Sequence, residues 1–136
     1  MKELYEKIEA LSQKITETWV LLDLDSAKNE MKSLDFEMAE SDFWSNPTKA
    51  KTKSQRREEI QDELTRWQQI KQDVEDLLAV TKDAEKEKDV SLKSDIESQL
   101  VKLEKNFSSL EFYILLDVDL VVLFDLMLQV ELYLLH

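Results

Sequence analysis

The sequence predicts an all-α protein: an elongated antiparallel helical hairpin, coiled-coil-like in its packing, with one or two additional helices at the N-terminal side. Three observations carry this expectation. The 136 residues contain no glycine and a single proline, so almost nothing in the chain interrupts a helix. Apolar residues recur three and four apart over most of the length, which places them on one face of a 3.6-residue turn. Charged residues make up 35% of the chain, and up to Lys105 they fall between the apolar positions, where they solvate the outer faces.

The first helix is read from Leu4, Ile8, Leu11, Ile15, Trp19 and Leu22. Leu22-Asp23-Leu24-Asp25-Ser26 then breaks the pattern with carboxylates and a hydroxyl able to cap a new start. Ala27, Met31, Leu34 and Met38 resume it, which predicts a short second helix running to Ser41. Phe43-Trp44-Ser45-Asn46-Pro47 follows and holds the only proline. Proline has a fixed φ and no N–H, so it suits the first helical position, and Asn46 before it is a good N-cap. The two aromatics just upstream are expected to be buried.

A third helix is predicted from Pro47 through Ala50, Ile60, Leu64, Trp67, Ile70, Val74, Leu77, Leu78 and Ala84, a rod of roughly 55 Å. Such a rod needs a partner along its stripe. Leu92, Ile96, Leu100, Leu103, Phe107 and Leu110 supply one in the next segment, with Asp89 as its expected N-cap. Each fully buried leucine or isoleucine on such a seam contributes about 1.5 to 3 kcal/mol before entropy is subtracted.

The C-terminal tail follows another pattern. From Leu110 to Leu134 every even-numbered position is apolar, and Glu111, Asp117, Asp119, Asp125 and Glu131 all stand at odd ones. Period two is the mark of a strand with one buried face. Yet no turn residue interrupts the segment, and a strand that long far exceeds the usual length. Its acids make it a poor membrane span. Helical continuation is favoured for the first part of this uncertain tail, and self-association is a hazard throughout.

Composition excludes several kinds of chemistry. Without glycine there is no phosphate-cradling loop of the Walker or dinucleotide type. Without cysteine, and with His136 as the single histidine, there is no thiol nucleophile, zinc cluster or histidine-based triad. No catalytic residue, cofactor or metal site is expected, and Asp23 with Asp25, or Asp117 with Asp119, read more simply as cap acids and polar spacers. The net charge of -12 argues against nucleic acid over the whole surface. Met1-Lys2-Glu3-Leu4 has no apolar signal core, so the expected location is cytoplasmic, with no membrane partner.

Lys49, Lys51, Lys53, Arg56 and Arg57 form the one local basic run, for no acid interrupts Asn46 to Arg57. Positive charge in the first turns of a helix opposes the macrodipole. A solvated patch balanced by Glu58 and Glu59 is the preferred reading, and contact with RNA phosphate is the alternative. Of the tryptophans, Trp19 and Trp67 sit on helical stripes and read as core. Trp44 is expected to plug the end of the bundle rather than to dock a partner.

Leu22-Asp23-Leu24-Asp25 and then Met38-Ala39-Glu40-Ser41-Asp42-Phe43-Trp44-Ser45-Asn46-Pro47 resemble the N-terminal helical domain of the bacterial peptide chain release factor 2 family. Asp42, Phe43, Trp44 and Pro47 form the identifying turn. Asp73-Val74-Glu75-Asp76-Leu77-Leu78 and Leu103-Glu104-Lys105 through Leu115-Leu116 continue the likeness. The resemblance implies a docking domain over residues 1–116 in stop-codon-dependent translation termination, placed near the base of the large-subunit stalk of the ribosome, with ribosomal RNA within reach of the basic run. It implies no catalysis here, because the family's Ser-Pro-Phe and Gly-Gly-Gln elements do not occur in this sequence. Residues 117–136 depart from the family pattern. Gln129-Val130-Glu131-Leu132 is what Ala-Gly-Gly-Thr codons give when read one base out of frame, so the tail is read as a frameshifted or truncated end. The alternative from another class is a standalone coiled-coil adaptor that self-associates through the tail.

Overall fold

In the computed structural model, residues 1–135 are described, with side chains throughout except at Tyr113 and residues 115–122. The expectations for His136, and for the side chains of Asp117 and Asp119, lie outside the described residues. The chain is all-α, as the sequence predicts. Helix α1 spans Lys2–Leu21, α2 Leu24–Met38, a 3-10 turn Phe43–Ser45, α3 Pro47–Lys86 and α4 Lys93–Leu134. Among the described residues there is no strand.

Helix α3 is the spine. Ile60, Leu64, Trp67, Ile70, Val74, Leu77, Thr81 and Ala84 are buried along it in steps of three and four, the spacing that keeps one seam turned to neighbouring helices. Thr81 is the buried polar member. Its hydroxyl donates to the Leu77 carbonyl at 2.7 Å, which satisfies the group within the helix. Trp67 meets Phe107 of α4 edge to face, with centroids 6.2 Å apart, so α4 returns antiparallel to α3. Leu4, Ile8, Leu11 and Ile15 of α1, with Leu24 and Leu34 of α2, join the same core.

Both additional helices lie along α3, and their register shows how. Trp19 sits against Lys71, Glu30 against Arg56 and Glu37 against Lys53. The partner's number falls as the chain advances, so α1 and α2 run end to end, both antiparallel to α3. The joint between them is tight. Asp23 takes a left-handed conformation at φ 52° and its side chain makes no cap bond. The expected capping by a carboxylate or the hydroxyl of Leu22–Ser26 is therefore corrected: Asp23 is the N-cap residue without a side-chain bond, and α2 begins at Leu24, whose side chain is buried. Trp19 is half-buried rather than core. Its indole N–H donates to Asp25 at 3.2 Å, and the ammonium groups of Lys28 and Lys71 stand 5.0 and 5.1 Å from its ring centroid, within cation–π range.

Other boundaries also shift. Helix α2 ends at Met38, short of Ser41. Asp89 does not cap α4, whose N-cap residue is Leu92. Its carboxylate instead accepts from the Ser91 N–H at 2.9 Å and the Ser91 hydroxyl at 2.6 Å, and these bonds hold it below the usual carboxylate range. Asn46 caps α3 as expected, accepting from the Lys49 N–H at 3.2 Å. The tail is helical to Leu134, so its period-two pattern does not make a strand. Without glycine or proline there is no turn at which two strands could pair, and the helix simply continues.

Helix α3 ends in a Schellman turn. The Asp89 N–H donates to the Ala84 carbonyl and the Lys88 N–H to the Glu85 carbonyl, at 2.9 and 3.1 Å, the paired pattern that normally places glycine in the left-handed position. Here Lys88 occupies that position, at φ 54°, against a steric cost of roughly 1–2 kcal/mol. Glycine removes that cost and returns part of it as entropy of the unfolded chain. Lys88→Gly is expected to raise stability by up to about 1 kcal/mol, measured as the urea midpoint at unchanged slope; a lower midpoint sinks this account of the turn.

Candidate functional site

The basic run that opens α3 is the one concentrated charge feature singled out in the sequence, and the fold divides it in two. Lys53, Arg56 and Arg57 face α2. The Arg56 guanidinium grips Glu30 with two parallel bonds at 2.9 and 3.0 Å and stands 3.8 Å from Glu59. Arg57 bonds Asp35 at 2.7 Å, and Lys53 pairs with Glu37. The expected balance by Glu58 and Glu59 is thus corrected: the principal counter-charges come from α2. They also offset what positive charge costs in the first turns of a helix.

Electrostatics follow from these contacts. The Arg56 hydrogen bonds hold the Glu30 carboxyl below its ordinary value, and the same bonds raise Arg56. Asp35 raises Arg57 in the same way. Lys49 and Lys51 differ, being exposed. Among the described residues no ion pair joins either of them.

The turn before this run holds Asp42, Phe43, Trp44 and Pro47. Phe43 is half-buried and Trp44 stands edge-on to it at 4.9 Å and 85°. Trp44 is 59% exposed, which overturns its expected role as a plug and the expectation that both aromatics are buried. The reason lies in the turn itself. A single 3-10 turn sends successive side chains to different sides, so burying Phe43 against the bundle leaves its neighbour outside. Phe36, on the outer side of α2, is 74% exposed. Trp44, Lys49 and Lys51 are therefore all exposed at the start of α3, the two lysines about 200° apart around the helix on either side of the buried Ala50, and sequence patterning alone does not reveal which side of the turn meets water.

Two further surface features stand apart from this run. The seam between α3 and α4 opens into a groove of about 490 Å3 beside the hairpin tip. At the other end of α4, residues 123–135 are exposed without exception. Among the described residues no three of His, Cys, Asp and Glu stand close enough to hold a metal ion. Nor, among them, is any helix long and apolar enough to cross a membrane.

Comparison with known proteins supplies the lineage. The PCRF domain family matches residues 27–119, from the first turn of α2 to the middle of α4. Peptide chain release factor 2 of Petrotoga mobilis is 28% identical over 110 residues, covering 81% of this chain and 30% of that protein. The protein of the same name from Chloroflexus aggregans is 25% identical over 116 residues, covering 85% and 32%. That from Staphylococcus aureus is 24% identical over 117 residues, covering 86% and 32%. The chain thus spans about a third of the length of these curated relatives. With the family match extending over more than half of its residues, the chain belongs to the PCRF domain family.

Proposed function

We propose that this chain is the ribosome-docking helical module of a release factor 2-like protein, non-catalytic in itself and working in translation termination in the cytoplasm. Family membership together with relatives named for peptide chain release supports the assignment to that system. The single observation that carries docking is that Trp44, Lys49 and Lys51 are exposed while Lys53, Arg56 and Arg57 of the same run are paired with α2. Such a surface suits RNA, where lysine meets phosphate and an aromatic face stacks on a base.

Co-sedimentation with purified bacterial ribosomes tests this. Binding is expected to weaken as salt rises. In Lys49→Glu/Lys51→Glu it is expected to fall about tenfold, from two lost phosphate contacts and the repulsion that replaces them, at unchanged stability. Equal pelleting of this variant, or no pelleting at low salt, removes the docking reading.

The clamp between α2 and α3 predicts a different response. A double-mutant cycle on Glu30 and Arg56 is expected to give a coupling of about 0.2–1 kcal/mol, because the pair is bidentate but solvent-screened. Glu30 is depressed in the folded state, so its contribution is fully present above the ordinary glutamate pKa. It is lost as pH falls through the folded value. Urea titrations across that acid range should show the coupling shrink, and a coupling indifferent to acid contradicts the assigned cause.

A second reading, a self-associating adaptor, is favoured by the exposed end of α4. Leu126, Met127, Leu128, Val130, Leu132 and Leu134 are all 45% or more exposed, on every side of the helix. Soluble monomers rarely present contiguous apolar patches beyond a few hundred Å2. Light scattering behind a sizing column is expected to give a mass above that of one chain at micromolar concentration, and Leu128→Lys/Leu132→Lys is expected to restore the monomer. A monomeric wild type sinks this reading and leaves docking untouched.

A further inference from the structure

The groove between α3 and α4 lies on the side of the hairpin away from α1. Among the described residues its lining comes from α3 and α4 alone. On α3, Lys71 and Leu78 turn towards the α1 side, whereas Asp73, Asp76 and Val80 turn into the groove. A seam between two helices has two sides on which a third helix can pack. Helix α1 takes one of them, and this is the other.

Its chemistry is distinctive. The floor is apolar: Leu77 and Ile96 are buried at its base, and Val80 and Leu92 remain 46% and 39% exposed at its lip. Three carboxylates stand on the lining, Asp73, Asp76 and Asp95, against the single ammonium of Lys102. Gln69 donates to Asp73 at 2.9 Å and Gln72 to Asp76 at 2.8 Å, neutral bonds that fix the carboxylates without cancelling their charge. A second groove of about 390 Å3 shares Asp73 and Asn106 and carries the channel on to Arg66, Ile70 and Leu110, so the acidic part of the channel is the part beside the hairpin tip. From Leu92 to Leu110 the floor runs on the order of 25 Å, or five helical turns.

We infer that this groove is a docking site for a basic amphipathic helix of a partner protein, whose apolar stripe covers Val80 and Leu92 and whose lysines or arginines reach Asp73, Asp76 and Asp95. Charge complementarity selects the occupant. A carboxylate rim repels nucleic acid and acidic lipid surfaces, and it disfavours a second copy of the apolar α4 end, which carries no basic residue. A helix in a groove is read through anchors at i, i+3, i+4 and i+7, and a five-turn channel accommodates all of them. The site is separate from the Lys49 and Lys51 surface, so it stands or falls independently of ribosome docking.

The test is titration of the whole chain with a labelled eighteen-residue peptide bearing a leucine stripe flanked by lysine and arginine, followed by anisotropy. Controls are a scrambled peptide of equal composition and a copy with glutamate in place of each basic residue. The amphipathic basic peptide is expected to bind at least about tenfold more tightly than the scramble. Asp73→Asn/Asp76→Asn/Asp95→Asn is expected to weaken it about tenfold. Val80→Glu, at an already exposed position, should do the same with circular dichroism and thermal unfolding unchanged. Equal affinity for the scramble, undiminished binding to Val80→Glu, or no saturable binding overturns the proposal. So does binding that Leu128→Lys/Leu132→Lys removes while the groove variants leave it intact.

Discussion

Everything in this fold depends on the apolar stripe of one forty-residue helix. Helix α3 supplies the surface on which α1, α2 and α4 all bury their own stripes, and α1 and α2 scarcely meet each other except at their joint. The stripe is apolar towards α1 and α4 from Ile60 to Ala84. Nearer the start of α3, the side that approaches α4 carries Arg56, Glu59, Glu63 and Arg66, with Leu110 and Ile114 of α4 opposite. Burying leucines against that polar wall gains little and strips water from charges. Beyond that wall, residues 123–135 of α4 are exposed.

The same helix explains why the charges fall where they do. Towards the start of α3, α2 and the 3-10 turn pack against it, and the buried apolar residues of that seam are Leu24 and Leu34 of α2 and the small side chain of Ala50 on α3. Three ion pairs flank that thin seam. Each is exposed enough to contribute little on its own. Together they favour this register of α2 along α3, since a one-turn slip breaks all three pairs at once.

Much of this was legible in the sequence because helical periodicity is a local property. The stripes of α1, α3 and α4 name nearly all of the core, and Asn46-Pro47 marks the start of α3 within a residue. What was not legible depends on distant contacts. The partners of Lys53, Arg56 and Arg57 lie about twenty residues upstream, whereas Glu58 and Glu59 stand next to them in sequence. Trp44 looked buried because apolar residues usually are, yet the geometry of a single turn decided otherwise. The period-two tail shows the limit of periodicity itself. Alternation indicates a strand only where a turn allows a second strand to pair, and a chain without glycine provides none. Lys88 and Asp23 carry the cost of that lack in left-handed positions.

Distribution of chemistry along the spine also bears on what the module does. The acidic groove lies towards the hairpin tip and the exposed lysines and tryptophan towards the α2–α3 end, and from Lys51 to Asp73 α3 runs about 33 Å. A stiff helix holds such surfaces at a fixed separation, which a flexible linker cannot do. Two weak contacts held rigidly apart bind a large, geometrically defined target far better than either does alone, and they fail on any target that lacks the matching spacing. On the two proposals above, the chain is a measuring rod with one contact for phosphate and one for basic protein, a physically coherent way to recognise an assembly of RNA and protein by its shape.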